Sequence, residues 1–311
     1  MTTVGTVLQV AASLAADALM AGNPAAPFDR RPLRQRAQAA LDDWEANGLP
    51  SGAWQLTKSK VIARMRRLVD LPQTLNQGTL DSCAYICALF ACLLRFPEQT
   101  VVAARELYER GQTTLGGLRM QPNAALLATT EDMITADDAA ALADRRAKEH
   151  FVPPPLDPTD WMLQVALFDA MEHRPGFTGL GASKDGIGIS QAPLWAQSVG
   201  QVFRFFGPLV TTTASDVLDD VSYDKLFTDV LATPNPQVEI FLWVNQTIFP
   251  YASMSLTGNH AVVIHGRVQG SKERGVEIPV YSYGGYEVLT ASYDSLHSHL
   301  QGMLAVTIKS A

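Results

Sequence analysis

The sequence predicts an α+β protein with two lobes. Three observations carry that expectation. Helical periodicity fills the first half, runs rich in Val, Ile, Tyr and Trp crowd the end, and a proline-rich run separates two stretches of different charge balance. The spacing predicts helices over about 4–21, 31–47, 52–70, 82–96, 98–110 and 135–149. Asp29 precedes Arg30-Arg31-Pro32, with the proline suited to a first turn, and Gly48-Leu49-Pro50 closes that helix. Thr135 before Ala136-Asp137-Asp138 reads as a helix start with acids where the dipole favours them. Val152 to Pro158, with four prolines, reads as a stiff connector.

Beyond the connector the pattern predicts a helix at 159–173, a Gly-rich loop at 175–188 and helices near 193–206 and 215–231. Strands are expected at 237–247, 260–268, 276–283, 286–290 and 303–308, with 270–275 as the loop between two antiparallel strands. His297 and His299 fall on a short polar helix before the last strand and read as surface.

Composition narrows the function. The chain has 311 residues, 47% hydrophobic and 18% charged, which is enough apolar surface for a sizeable core and excludes a disordered tail. Residues 1–150 balance 16 Lys and Arg against 16 Asp and Glu, while residues 151–311 carry 8 against 15, so the net −7 sits in the second half. No basic stripe is available to neutralise phosphates, which argues against nucleic acid as a partner. The surplus is an acidic lobe that would favour cationic partners, and plain solubility explains it equally well.

Three cysteines between 83 and 92 cannot make a disulfide framework, since any bridge would only clip one helix, and they point to a reducing compartment. The N-terminal stretch lacks a basic segment and carries Gln9 and Asp17, so it reads as an amphipathic helix and not a signal peptide. No apolar run is long enough to span a membrane. The expectation is a cytoplasmic protein.

The window from Asn76 to Phe90 is the most informative. From Ser82 to Leu94 there is no charged residue, so this helix should be buried all round, with Asp81 or Ser82 as its cap. Cys83 then falls in the first turn, where unpaired N–H groups and the positive end of the dipole favour thiolate. Cys87 and Cys92 lie deeper and read as small core residues. A nucleophilic thiol needs a base and donors for the oxyanion. Gln77 can supply a side-chain N–H, and the Cys83 backbone a second. The base candidate is His260, at the start of a strand on which 260, 262 and 264 share one face and 261, 263 and 265 the other, so His260 and His265 cannot serve one site.

Gln77-Gly78-x-x-x-Ser82-Cys83 at a helix start, followed much later by Asn259-His260-Ala261-Val262 on a strand, resembles the papain-like cysteine peptidase superfamily, with wording most similar to papain and calpain cores. Trp161 to Leu167 is also faintly similar to the calpain helix between Cys and His. The resemblance covers roughly 72–308, and only the Cys and His windows are specific. It implies a papain-like two-lobed fold, in which a helical lobe with a central Cys-bearing helix packs on an antiparallel β-sheet lobe. The helical lobe would span about 71–205 and the sheet lobe about 206–311, after an N-terminal helical region, 1–70, that matches nothing nameable. It also implies Cys83 as nucleophile, His260 as general base and acid, and Gln77 in the oxyanion hole.

The third position departs from the pattern. Where the family places Asn or Asp on the strand after the His strand, this chain offers Glu277 to Gly285 with no acid or amide at the expected place. By register Ser282 is the candidate, since Ile278, Val280 and Ser282 share a face. A serine hydroxyl can orient a histidine, and stabilises an imidazolium less than a carboxylate would.

Other signals carry less. Gly179 to Gly188 has neither P-loop order nor G-x-G-x-x-G spacing and reads as a loop near a cleft. The cysteines and histidines lack zinc spacing, Asp216, Asp219 and Asp220 lack that of a calcium loop, and the Trp195, Trp243 and Phe203/Phe205/Phe206 aromatics read as core. No cofactor or metal is implied. The expected function is a thiol-dependent hydrolase or acyltransferase acting on a peptide or side-chain amide of a protein through a Cys83 thioester. A cysteine protease comes first, and a deamidase or transglutaminase-like enzyme uses the same parts. An alanine-rich chain without a signal peptide also fits a bacterial effector delivered by a specialised secretion system. The alternatives are a catalytically degenerate papain-like fold that binds protein and a scaffold with three buried cysteines.

Overall fold

The computed structural model describes residues 30–80, 82–148, 153–172, 176–181, 210–215, 238–249, 259–266, 268–282 and 284–308. They fall into two compact units, one within Arg30–Pro193 and one within Leu209–Ala311. Both helices and antiparallel sheet are present, so the fold is mixed α+β. The predicted helices at 4–21 and 193–206, most of that at 215–231 and most of the glycine-rich loop lie outside the described residues.

The first unit is helical. Its elements are α1 (Arg31–Asn47), α2 (Lys58–Asp70), α3 (Cys83–Arg95), α4 (Pro97–Arg110), β1 (Thr113–Leu115), β2 (Leu118–Met120), α5 (Ala124–Leu127), α6 (Glu131–Lys148) and α7 (Pro158–Glu172). Helix α1 carries Pro32 in its first turn as expected and buries Ala37, Leu41 and Trp44, one residue per turn along a single stripe. Trp44 meets Tyr108 of α4 with ring centroids 5.9 Å apart. Residues 30–70 thus belong to the same compact unit as the helices that follow them. Helix α3 is buried continuously from Ala84 to Leu94, as a charge-free helix must be.

Two helix starts differ from the sequence expectation, each for a packing reason. Helix α2 begins at Lys58 and not near 52. The preceding segment is held against the end of α4 by Ala53 N–H to Tyr108 O at 2.8 Å and Trp54 Nε1–H to Leu107 O at 2.9 Å. Gly52 permits the approach, because a Cβ there would lie 2.3 Å from Tyr108 O. Helix α6 begins at Glu131, so Thr135 is no cap; its hydroxyl donates to Glu131 O at 2.8 Å, inside the helix. The β1–β2 hairpin, turning at Gly116-Gly117, and the short α5, capped by the Asn123 side chain, were not anticipated.

The described part of the second unit is an antiparallel sheet with a short α-helix and a single 3-10 turn at Gln246–Ile248. It comprises β3 (Val210–Ser215), β4 (Val238–Asn245), β5 (Asn259–Ile264), β6 (Gln269–Ser271), β7 (Gly275–Ser282), β8 (Gly285–Ala291), α8 (Tyr293–His299) and β9 (Leu300–Ile308). The order runs β3, β9, β4, β5, β7. Strands β5 and β6 share one edge of β7, since Tyr281 pairs with Val263 and Val276 with Gly270, while β8 lines the other edge from Val276 to Ser282. The expected strand at 260–268 therefore breaks after Ile264, and the expected 270–275 loop narrows to 272–274.

That break accommodates Pro279. A proline inside a sheet removes one ladder donor. Its carbonyl accepts from His265 N–H at 2.8 Å, just past the end of β5, so the missing donor falls between the two strands that share this edge. One face of the sheet is an apolar layer that includes Leu242, Val244, Val262, Ile278, Val280 and Leu289, with Leu296 of α8 packed into it.

Candidate active site

The predicted site residues occur as two pairs in different units: Gln77 and Cys83 in the helical one, His260 and Ser282 in the sheet one.

Strand register decides the second pair. The β5–β7 pairing of Val263 with Tyr281 and Ile264 with Val280, continued by one residue, sets Ser282 opposite Val262. His260 is two residues from Val262 on the same face, so its ring reaches Ser282 diagonally. His260 Nε2 and Ser282 Oγ lie 2.9 Å apart, and both residues are buried. Phe249 meets the imidazole edge-on with centroids 6.0 Å apart. His265 is on the opposite face, stacked on Tyr286 at 4.4 Å, as strand alternation requires. Burial among apolar neighbours pushes the His260 pKa down to about 3, so the ring is neutral at physiological pH.

In the helical unit, Cys83 is the first residue of α3 and is partly exposed, whereas Cys87 and Cys92 are buried, and none of the three is in a disulfide. Burial pushes both inner thiols well up, which suits core residues and not nucleophiles. Gln77 is buried and its Nε2 donates to Leu80 O at 3.1 Å. Its Oε1 has no hydrogen-bond partner among the described residues. One of the two amide hydrogens is thus engaged within the loop, leaving at most one for an oxyanion.

The loop between Gln77 and Cys83 is held from outside by residues that sequence reasoning missed. Asn76 N–H donates to Asp160 Oδ2 at 2.9 Å, and Asn76 O accepts from Gln164 Nε2 at 2.9 Å. The Asn76 side chain donates to Pro154 O at 2.8 Å and accepts from Gly78 N–H at 2.9 Å. Asp138 takes the Thr79 hydroxyl at 3.0 Å and Leu156 N–H at 2.9 Å. Gly78 has φ 59°, and a Cβ there would lie 2.6 Å from Leu156 Cβ, so only glycine fits this turn.

Asp160 anchors the arrangement. It is fully buried, bonded to Arg64 through both carboxylate oxygens at 2.8 and 2.5 Å. Burial pushes its pKa up to about 6, against the pull of Arg64 and the Asn76 N–H, and leaves it ionised at neutral pH. The available signal was spacing: Asp160 and Gln164 stand one turn apart in a helix otherwise apolar from Trp161 to Phe168.

Among the described residues no group of three or more His, Cys, Asp or Glu side chains is placed to hold a metal ion. No described helix is long and apolar enough to cross a membrane. No family model, curated protein or solved structure matches the chain.

Proposed function

We propose that this chain is a papain-like thiol hydrolase or acyltransferase that acts on a peptide or side-chain amide of a protein substrate. The observation that carries the reading is the bond between His260 Nε2 and Ser282 Oγ. It supports a histidine oriented from behind by a neighbouring strand, the role that a third residue plays in thiol and serine hydrolases. With Nε2 engaged by Ser282, the base would be Nδ1.

In this mechanism Cys83 gives its proton to His260 and its sulfur attacks the carbonyl carbon. The oxyanion is held by the Cys83 N–H and the remaining Gln77 N–H. The tetrahedral intermediate collapses as His260 returns the proton to the leaving amine, forming a thioester at Cys83. Water then attacks the thioester with His260 as base, releasing acid and thiol. Proteolysis follows from a backbone amide, deamidation from a side-chain amide, and transamidation when an amine replaces water. A ring that burial holds neutral is a weak base, so the Cys83 thiolate must supply the charge that makes an imidazolium favourable.

The burial of His260 favours a second reading, a degenerate papain-like fold that binds protein without chemistry. Limiting iodoacetamide near pH 6, with the label located by mass, separates the two, since only an activated thiol is ionised there. Selective labelling of Cys83, lost in His260→Ala, supports the enzyme. Inertness of all three cysteines until denaturation overturns it in favour of the binding module.

A further inference from the structure

The chain entering Gln77 is held at three consecutive peptide planes by side chains from two helices, α2 and α7. Arg64 Nη2 donates to Thr74 O at 2.5 Å, on the peptide that joins residues 74 and 75. Asp160 Oδ2 accepts Asn76 N–H at 2.9 Å on the next peptide, and Gln164 Nε2 donates to Asn76 O at 2.9 Å on the one after. A peptide is a rigid plane whose soft torsions lie only on either side of it. Gripping three in a row therefore fixes the backbone torsions of Leu75 and Asn76, and with them the place of the Gln77 Cα.

Arg64 is the joint of this clamp. Its Nη2 serves Thr74 O and Asp160 Oδ2 together, and its Nε donates to Asp160 Oδ1 at 2.8 Å. One planar fork thus orients the carboxylate and grips the chain directly. The Arg64 side chain is 11% exposed and that of Asp160 is fully buried. Arg64 lies on α2, ahead of the 72–308 stretch that carries the papain-like resemblance. A lysine cannot do the same, because its ammonium ends where the guanidinium carbon sits, one bond short of Nη2.

We propose that Arg64 is a positioning residue that sets the Gln77 side chain for the oxyanion, acting through the backbone of residues 74–76. The inference rests on the proposed Cys83 chemistry with Gln77 as a donor, and not on the pairing with His260. One Gln77 amide hydrogen is held by Leu80 O at 3.1 Å, so the direction of the other follows from where the clamp places the Gln77 backbone. A displacement of about 1 Å there weakens the oxyanion contact and leaves the thiol itself unchanged.

The test compares two reactions of Cys83 in the full chain, each with the modified residue located by mass. p-Nitrophenyl acetate acetylates the sulfur through a tetrahedral oxyanion: the S–C bond forms, the ester C–O bond breaks and p-nitrophenolate leaves. Iodoacetamide alkylates the same sulfur by displacing iodide and forms no oxyanion. Arg64→Lys, which keeps a cation beside Asp160, should slow acetylation about tenfold and alter alkylation by less than about twofold. The same variant in a Gln77→Ala background should slow acetylation no further, because the group it positions is gone. Arg64→Gln with Asp160→Asn, which buries no unpaired charge, serves the same comparison if the lysine variant does not fold. Equal slowing of both reactions, an unchanged acetylation rate, or a full further loss in the Gln77→Ala background would overturn the proposal and leave the proposed function standing. Wild-type acetylation of Cys83 that is absent, or indifferent to Gln77→Ala, would overturn the oxyanion role of Gln77 and this inference with it.

Discussion

The two units bury polar groups in opposite ways. The helical unit buries a charge with its counter-ion: Asp160 faces Arg64 through two short bonds and takes the Asn76 N–H as well. The sheet unit buries an imidazole in an apolar layer and drives it neutral. A satisfied ionic cluster fixes a loop in one conformation, which suits the segment that presents Cys83. A neutral, oriented imidazole is poised to accept a proton once a negative charge is brought to it. On the proposed mechanism, rigidity falls to one unit and proton transfer to the other.

The largest expected effect breaks the ionic cluster. Asp160→Ala removes the fully buried carboxylate that Arg64 holds through two bonds and leaves the guanidinium only the more distant Asp157 at 3.8 Å, and should cost about 3 kcal/mol. Denaturant unfolding checks this, and a loss below about 1 kcal/mol would remove the cluster as the anchor of the loop.

The units should also respond to acid with opposite sign. The folded pKa of His260 is depressed, so its contribution is present above about pH 6.5 and is lost as pH falls toward 3. That amounts to about 2 kcal/mol between pH 6.5 and 5, where only the unfolded chain takes the proton. The folded pKa of Asp160 is raised, so its contribution is present below about pH 3.8 and is lost as pH rises through about 6. Hydrogen exchange at pH 5 and 7, read on β5 and on α7, should show the sheet unit loosening in acid while α7 does not. Parallel behaviour would contradict the contrast.

Smaller effects sharpen it. Gly78→Ala combines a positive φ with a clash at Leu156 and should cost about 1–3 kcal/mol, seen as faster exchange confined to the 76–82 loop. Ser282→Ala removes one buried hydrogen bond and should cost about 1–2 kcal/mol in chemical unfolding. It should also leave a histidine that activates Cys83 poorly.

The sequence made some of this legible and hid the rest for identifiable reasons. Alternation along a strand placed His260 and His265 on opposite faces and selected Ser282, because a period of two leaves no freedom once a strand is assigned. The uncharged run from Ser82 to Leu94 announced the buried helix that begins with Cys83. The start of α2 was hidden because Trp54 and Gly52 serve a contact with α4, distant in sequence. Asp160 and Gln164 were passed over because local propensity does not report a buried polar residue whose partners lie more than 80 residues away in the chain. Strand β3 was missed for want of an alternating pattern, its sequence being Val-Thr-Thr-Thr-Ala-Ser.

The proposed pairing of Cys83 with His260 is tested most directly by the pH–rate profile of Cys83 alkylation. If the two act together, wild-type Cys83 stays reactive well below the usual thiol range, down to about pH 5, and His260→Ala moves the profile up toward about 8.5. Superimposable profiles for the two proteins would contradict it.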